Sequence, residues 1–333
     1  MGILPMFVER RWLGPVWLKV AALVGSDYSY VLDPPMREAG AREMYIAAMK
    51  HLLGELGCDA VKLSPLSGTY ARTAALREAA GSLGETARVL RDEEIGPHTM
   101  LYLPATFEEY LASLSRSVRS NHKRRTKLLA EGYEVKVDVI SEHTELAAEF
   151  PKFVALHGAQ WNAEGKLGHF DDWPGAEAYY CDLIKKHAPQ GRARIVRLAL
   201  NGEVASYQLC FAFDKCLHWV LPARSTRPEL ERFSLGTLGV MQLAEGAIRD
   251  GYAVMEQGVG HYGYKLDLGG TEHAVRAVVV GSSSLATRLR VKCFLWLAKR
   301  LDFFYYRVWF QRVAPKLPLA RRPLWTTWIR SRL

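Results

Sequence analysis

The sequence predicts an α/β protein, mixed sheets with flanking helices, on three observations. Short apolar runs bounded by turn residues alternate with helical stretches over the first hundred residues. The second half repeats the order, with three successive strand patterns followed by a helix and a further strand. The chain has 333 residues, 49% hydrophobic and 24% charged, which suits two packed domains and excludes a disordered chain, a collagen-like repeat and a polytopic membrane protein.

In order, Val16 to Val24 reads as a strand closed by the turn Gly25-Ser26-Asp27. Residues 36–56 read as a helix, with Met44, Ala48, His51 and Leu52 on one face and Gly57 as its stop. Residues 59–66 suggest a strand, 69–80 a helix, and 88–90 and 99–103 two short strands. Thr106 is placed to cap a helix carrying Phe107, Tyr110, Leu111 and Leu114, and the next helix, 116–130, is the most basic internal segment. Residues 133–140 alternate as a strand, 142–161 and 171–187 read as helices, and Pro174 suits the first turn of the latter. Strands follow at 194–200, 204–213 and 217–221, the first two joined by Asn201-Gly202, a hairpin signal. A helix over 234–250, a strand over 252–257, a glycine-rich turn over 258–263 and a strand over 274–280 complete the pattern.

Charge divides the chain unevenly. The net +9 is carried by residues 273–333, which hold thirteen Lys or Arg against Asp302 alone, while residues 1–272 are net −3. From Cys293 onward the tail is also aromatic, with Phe294, Trp296, Phe303, Phe304, Tyr305, Tyr306, Trp309, Phe310, Trp325 and Trp328. Basic residues interrupt every longer apolar run, so the tail suits an interfacial helix on an anionic membrane surface or packing between domains, not a span. Pro315, Pro318 and Pro323 favour an extended final stretch. Five scattered cysteines give no zinc pattern, and the first residues do not read as a secretory signal, so the expectation is reduced thiols and a cytoplasmic protein.

Four segments could carry chemistry. Gly258-Val259-Gly260 leads into His261, Tyr264 and Lys265, where Lys265 could place a charge beside a phosphate or an oxyanion. Glu256, where the preceding strand ends, could take a proton from an amine, with His261 as the alternative; a plain tight turn is the competing reading. Ser234-Leu235-Gly236-Thr237-Leu238-Gly239 opens a helix whose free amides suit a diphosphate, although neither a Walker ending nor a dinucleotide fingerprint is present. His157 and Trp161 share a helical face, either as base and stacking surface or as a packing stripe. The basic run over 116–127, including Arg124, could hold a phosphate-bearing donor or be a solvated face.

Together, Asp27-Tyr28, Ser120-Asn121-His122-Lys123-Arg124-Arg125, Leu156-His157 with Trp161 and Gly165, Ser234-Leu235-Gly236-Thr237-Leu238, and Gly258-Val259-Gly260 leading to Tyr264-Lys265 resemble the GNAT-superfamily acetyltransferase domain associated with cellulose biosynthesis, itself similar to peptidyl-bridge-forming transferases. The resemblance, over residues 20–285, implies tandem GNAT-like acyltransferase domains with a basic aromatic helical tail. It divides the chain into a short N-terminal domain (1–115), a basic helical connector and cleft wall (116–190), a C-terminal GNAT-like domain with the donor site (191–285) and the tail (286–333). It implies acyl transfer from acyl-CoA or acetyl-CoA to a small-molecule or lipid amine, without a metal. Glu256 or His157 would take the proton, Lys265 would stabilise charge, and Ser234, Leu235, Gly236, Thr237, Gly239 and Arg124 would hold the donor. Trp161, His261 and Tyr264 would line the acceptor side. An Arg often found before the family tryptophan is Gln160 here. Similarity to the bridge-forming enzymes leaves charged tRNA as an alternative donor, and a nonenzymatic assembly factor is the alternative outside enzymes.

Overall fold

The computed structural model describes residues 2–84, 86–317 and 319–333. They form two units. One comprises the chain up to His98 together with His273–Leu333, the other Thr99–Glu272. Each is a mixed α/β layer.

The first unit begins with an antiparallel hairpin, β1 (Met6–Leu13) and β2 (Val16–Leu23), turned at Gly14, whose φ of 58° suits glycine. Helix α1 (Ala41–Met49) continues as a π-helical segment to Glu55, and β3 (Ala60–Ser67) then pairs parallel to β2. Helix α2 (Ala71–Ser82) leads into β4 (Ala87–Tyr102), a single long strand where the sequence suggested two short ones. The charged Asp92-Glu93-Glu94 run reads as a break. In the fold, Asp92 is held within the strand by Arg276 at 2.6 Å and Arg77 at 2.8 Å.

The second unit follows with α3 (Phe107–Ser113), α4 (Arg116–Gly132), β5 (Val135–Ile140), α5 (His143–Ala163), α6 (His169–Asp172) and α7 (Ala176–His187). Thr106 caps α3 in a capping box with Glu109, as its spacing predicts. The helix expected over 171–187 is two, because Trp173-Pro174-Gly175 intervenes and Gly175 takes φ 86°. Strands β6 (Ala193–Leu200), β7 (Glu203–Phe213) and β8 (Cys216–Arg224) form an antiparallel meander. Then come α8 (Leu235–Arg249), β9 (Val254–Val259), α9 (Gly263–Asp267) and β10 (Thr271–Ser282). The sheet of this unit runs β9-β8-β7-β6-β5. One face carries α5 and α7 through Phe150, Phe153, Tyr180 and Ile184. The other carries α3 and α8 through Tyr110, Leu114, Val240 and Met241. Burying each such side chain contributes about 1.5–3 kcal/mol.

Two irregularities shape the sheet around the site. The register shifts between Leu209–Leu221 and Cys210–Trp219, so Val220 is an extra residue and β8 turns its buried side chains from one face to the other. Trp219 therefore packs with α8, and Leu221 with α5. Strand β9 pairs parallel to β8 only through His218–Glu256, while β8 runs on to Arg224 and β9 to Val259. The two strands thus make a fork.

The chain returns to the first unit along β10, which pairs antiparallel to β3, and ends in α10 (Leu285–Leu301), a π-helical continuation to Val313 and α11 (Trp325–Ser331). Helices α1 and α2 cover one face of that sheet, and α10 covers the other through Val291 and Phe294. Much of the aromatic tail is core: Tyr305, Phe310, Trp325 and Trp328 are buried, and Tyr306 stacks on Trp328 at 4.1 Å. The extended ending expected from its prolines is overturned over 325–331, where α11 forms; Pro318 lies outside the described residues. Among the described residues no helix is long and apolar enough to cross a membrane.

Candidate active site

Helix α4 is capped by Ser115, which accepts from the Val118 N–H at 3.3 Å. Val118, His122, Arg125 and Leu129 recur at helical spacing and turn inward, leaving Lys123, Arg124 and Lys127 in solvent. A cavity of about 180 Å³ is lined by Val118, Asn121, His122 and Arg125 of α4, Thr237, Leu238 and Met241 of α8, and Tyr264, Asp267 and Leu268 at α9. At about 30 Å³ per water it holds roughly six, the size of a polar group of a larger ligand. Tyr110 fixes its floor by donating to the Leu268 carbonyl at 2.9 Å. Two side-chain atoms of these lining residues, Nε of Arg125 and Nδ1 of His122, are buried and have no hydrogen-bond partner. Burial lowers the His122 pKa and favours the neutral ring. Three segments singled out in the sequence thus converge here, with Thr237 and Tyr264 among their site candidates. Arg124 is not: it lies on the exposed side of α4, donating to the Asn121 side-chain Oδ1 at 3.4 Å, and its neighbour Arg125 takes the inward place.

The start of α8 differs from a simple cap. Ser234 sits at φ 50° and its hydroxyl makes no capping bond to the helix. The first intrahelical bond is from the Leu238 N–H to the Ser234 carbonyl, leaving the Leu235, Gly236 and Thr237 amides without an acceptor in the helix. A Cβ at Gly236 would meet only the Arg224 side chain, at 3.6 Å. Gly239 serves packing instead. A Cβ there would lie 2.3 Å from Gln208 Nε2, so the glycine lets α8 settle on β7. Gln208 is buried and held by the Trp219 indole N–H at 2.8 Å. Beside the helix start, Arg224 pairs with Glu164 at 3.4 Å, and its backbone N–H donates to Gln160 at 2.9 Å. The glutamine standing where an arginine is common is therefore a strap between α5 and β8.

At the fork, Glu256 accepts from the Gly258 N–H at 3.1 Å and faces His218 across the last β8–β9 pair. Burial lowers the His218 pKa, and Glu256 opposes that fall. Lys265 is buried, with its ammonium donating to the carbonyls of Gln257 at 2.7 Å and Gly258 at 3.2 Å, and with Tyr262 over it at 4.9 Å. Burial brings its pKa down to about 8, against the pull of Glu256 and Glu272. Its contacts make it a clamp on the end of β9. His261 is exposed and paired with Glu272 at 2.8 Å, away from the cavity lining. Tyr264, its hydroxyl pushed up to about 12 by burial, leans edge-on against Trp219.

His157 is buried on α5 with both ring nitrogens engaged. Nδ1 lies 2.7 Å from the Pro222 carbonyl, to which it donates, and Nε2 accepts from the His169 N–H at 3.1 Å. Burial lowers its pKa. No lone pair of this tautomer is left to take a proton, so the geometry is the packing arrangement and not that of a base. Trp161 has a buried indole N–H without a partner, and Lys166 lies over its ring at 5.3 Å. Asn121, His122 and Arg125 fall inside the basic segment quoted from the sequence without being named as site residues, and Asp267 was not anticipated. The inward stripe of α4 was the available signal for His122 and Arg125, and for His218 it was the alternation of β8. Among the described residues, no three His, Cys, Asp or Glu side chains are grouped to hold a metal ion.

Residues 116–266 match the family model for an acetyltransferase (GNAT) domain. That stretch contains α4, the fork, the start of α8 and most of the cavity lining. FemX is similar in structure, with 11% identity over 82% of this chain and 88% of that one and a TM-score of 0.58. So is the C-terminal domain (DUF2156) of a lysylphosphatidylglycerol synthetase candidate from Agrobacterium fabrum, with 13% identity over 89% and 85% and a TM-score of 0.51. No curated protein matches the chain. At these identities the structural likeness is one of fold. With the domain match, it supports a GNAT-like transferase.

Proposed function

We propose that the chain is an N-acyltransferase that moves an acyl group from acyl-CoA or acetyl-CoA to a small-molecule or lipid amine in the cytoplasm. The observation that carries this reading is the pair of unpartnered buried atoms, Arg125 Nε and His122 Nδ1, on side chains that line a cavity bounded by the first turns of α8. A cation beside a helix start suits a phosphate-bearing donor. The Leu235, Gly236 and Thr237 amides and Arg125 hold its diphosphate. The amine, relieved of a proton by Glu256, attacks the thioester carbonyl; the C–S bond breaks as the C–N bond forms, and the thiolate leaves with a proton. His218 faces Glu256 from across the fork. Lys265 acts by fixing the carbonyls of β9, and Trp161 offers its ring and indole N–H to the acceptor. His157, Ser234 and Gly239 support the scaffold, while Arg124 and His261 are exposed. Sugar, lipid and amino-metabolite amines all fit this chemistry, including the polysaccharide setting that the sequence resemblance suggests.

Calorimetry of the full chain against acetyl-CoA, a long-chain acyl-CoA and free CoA tests the reading. Binding is expected, weakened about tenfold or more by Arg125→Ala. No heat with any of the three would overturn the donor assignment. A second reading, transfer from charged tRNA, is favoured by the exposed Lys123, Arg124 and Lys127 on α4. It predicts product from charged tRNA and none from acyl-CoA.

A further inference from the structure

The last sixty residues supply a surface that acyl transfer does not use. Helix α10 is anchored on its inner side by Val291 and Phe294, both fully buried in the first unit, and at its start by Ser284, which accepts from the Thr287 N–H at 3.2 Å. That anchoring fixes which residues face outward. Leu285 is 68% exposed, Leu289 59% and Trp296 57%, and Phe304 just beyond the helix is 61% exposed. Leu285, Leu289 and Trp296 recur at intervals that keep them on one side of the helix. Between and beside them stand Lys292, Lys299 and Arg300, all exposed, with Arg300 lying over the Trp296 ring at 5.2 Å. No acidic residue occurs in α10. The acid that follows the helix, Asp302, is occupied by Arg307 at 3.0 Å and by the Trp328 indole N–H at 3.0 Å, and Asp59, which is buried, is paired with Arg290 of α10.

We infer that this outer face of α10, continued by Phe303 and Phe304, docks on an anionic lipid surface. Large apolar side chains standing singly among lysines and arginines match the layered chemistry of a bilayer interface, where rings and leucines enter the acyl boundary and ammonium and guanidinium groups meet phosphates. Long basic side chains lie along apolar surface while keeping their charges in the headgroups. The charge complementarity is one-sided, since residues 273–333 carry net +12. The buried aromatics of the same tail, Tyr305, Phe310, Trp325 and Trp328, hold the scaffold and take no part. This inference concerns the first unit and stands independently of the acyl-transfer reading.

The test is co-sedimentation of the full chain with phosphatidylcholine vesicles and with vesicles containing one-quarter phosphatidylglycerol, at 50 and 500 mM salt. Pelleting with the anionic vesicles alone, reduced at high salt, is expected. Leu289→Ser with Trp296→Ser should lower the partition coefficient about tenfold or more. Lys292→Glu with Lys299→Glu should lower it about fivefold or more per charge. Circular dichroism and an unchanged melting temperature show that these exposed substitutions leave the fold intact. Equal pelleting with neutral and anionic vesicles would overturn the inference, as would none with either or variants that bind like the parent. So would a concentration-dependent dimer that Trp296→Ser dissolves in a chain that ignores vesicles, since a second copy would then cover this face.

Discussion

His157→Leu separates a structural imidazole from a catalytic one. The ring donates to the Pro222 carbonyl at 2.7 Å and accepts from the His169 N–H at 3.1 Å, and its edge packs on Phe170 with centroids 5.4 Å apart. Leucine keeps most of the volume and leaves both backbone groups unpaired. At about 1–2 kcal/mol for each orphaned group, the expected loss is about 2–4 kcal/mol, or roughly 5–15 °C in melting temperature for a unit of this size. The pH dependence adds a second signature. The His157 and His169 pKa values are lowered by burial, His169 to about 4 from an ordinary 6.5, so between those values the unfolded chain binds more protons than the folded one. Stability is therefore complete above pH 6.5 and is lost as the pH falls toward 4, by up to about 3 kcal/mol for His169, less to the extent that solvent reaches the ring. Urea unfolding followed by tryptophan fluorescence from pH 4.5 to 8 reads both effects, and His157→Leu should flatten the acid limb while leaving the pH profile of kcat/KM unchanged in shape. A variant as stable as the parent whose turnover falls a hundredfold and loses its acid limb would refute this account of His157.

Three further outcomes are expected. Glu256→Gln should reduce kcat by about 10²–10⁴ with donor binding intact, read by thiol release and calorimetry; an unchanged rate removes Glu256 as the base. Gly239→Val would push a side chain into Gln208, which lies 2.3 Å from the Cβ position, and should cost about 1–3 kcal/mol in a urea titration. Asp27→Ala leaves Lys62, paired with it at 2.6 Å, and the fully buried Arg11 without their shared carboxylate; a loss of about 3–5 kcal/mol is expected, and one below 1 kcal/mol would contradict the buried network.

The α/β class and most elements are legible because they are local. Asn201-Gly202 turns β6 into β7 with both residues at positive φ, and Thr106 caps α3 where the spacing places it. Features that depend on distant partners are not. Nothing near Asp92 announces Arg276 as its neighbour, and nothing near Val220 shows that β7 will skip a residue opposite it. At the candidate site, composition flagged the basic run, but only the phase of α4 separates the inward Arg125 from the exposed Arg124. His157 shows the opposite difficulty. Its helical spacing suits a catalytic or a packing histidine equally, and the Pro222 carbonyl and His169 amide that engage it come from elsewhere in the chain.

The proposed transfer takes an acyl-CoA into the cavity beside α8 and passes its acyl group to an amine. Its most direct test is mass spectrometry of a reaction containing purified chain, acetyl-CoA and a panel of amines, with free thiol quantified in parallel. One acetylated amine is expected for each thiol released, with both falling together in Arg125→Ala and Glu256→Gln. Thiol release that persists in both variants, or an acylated product formed only from charged tRNA, would contradict it.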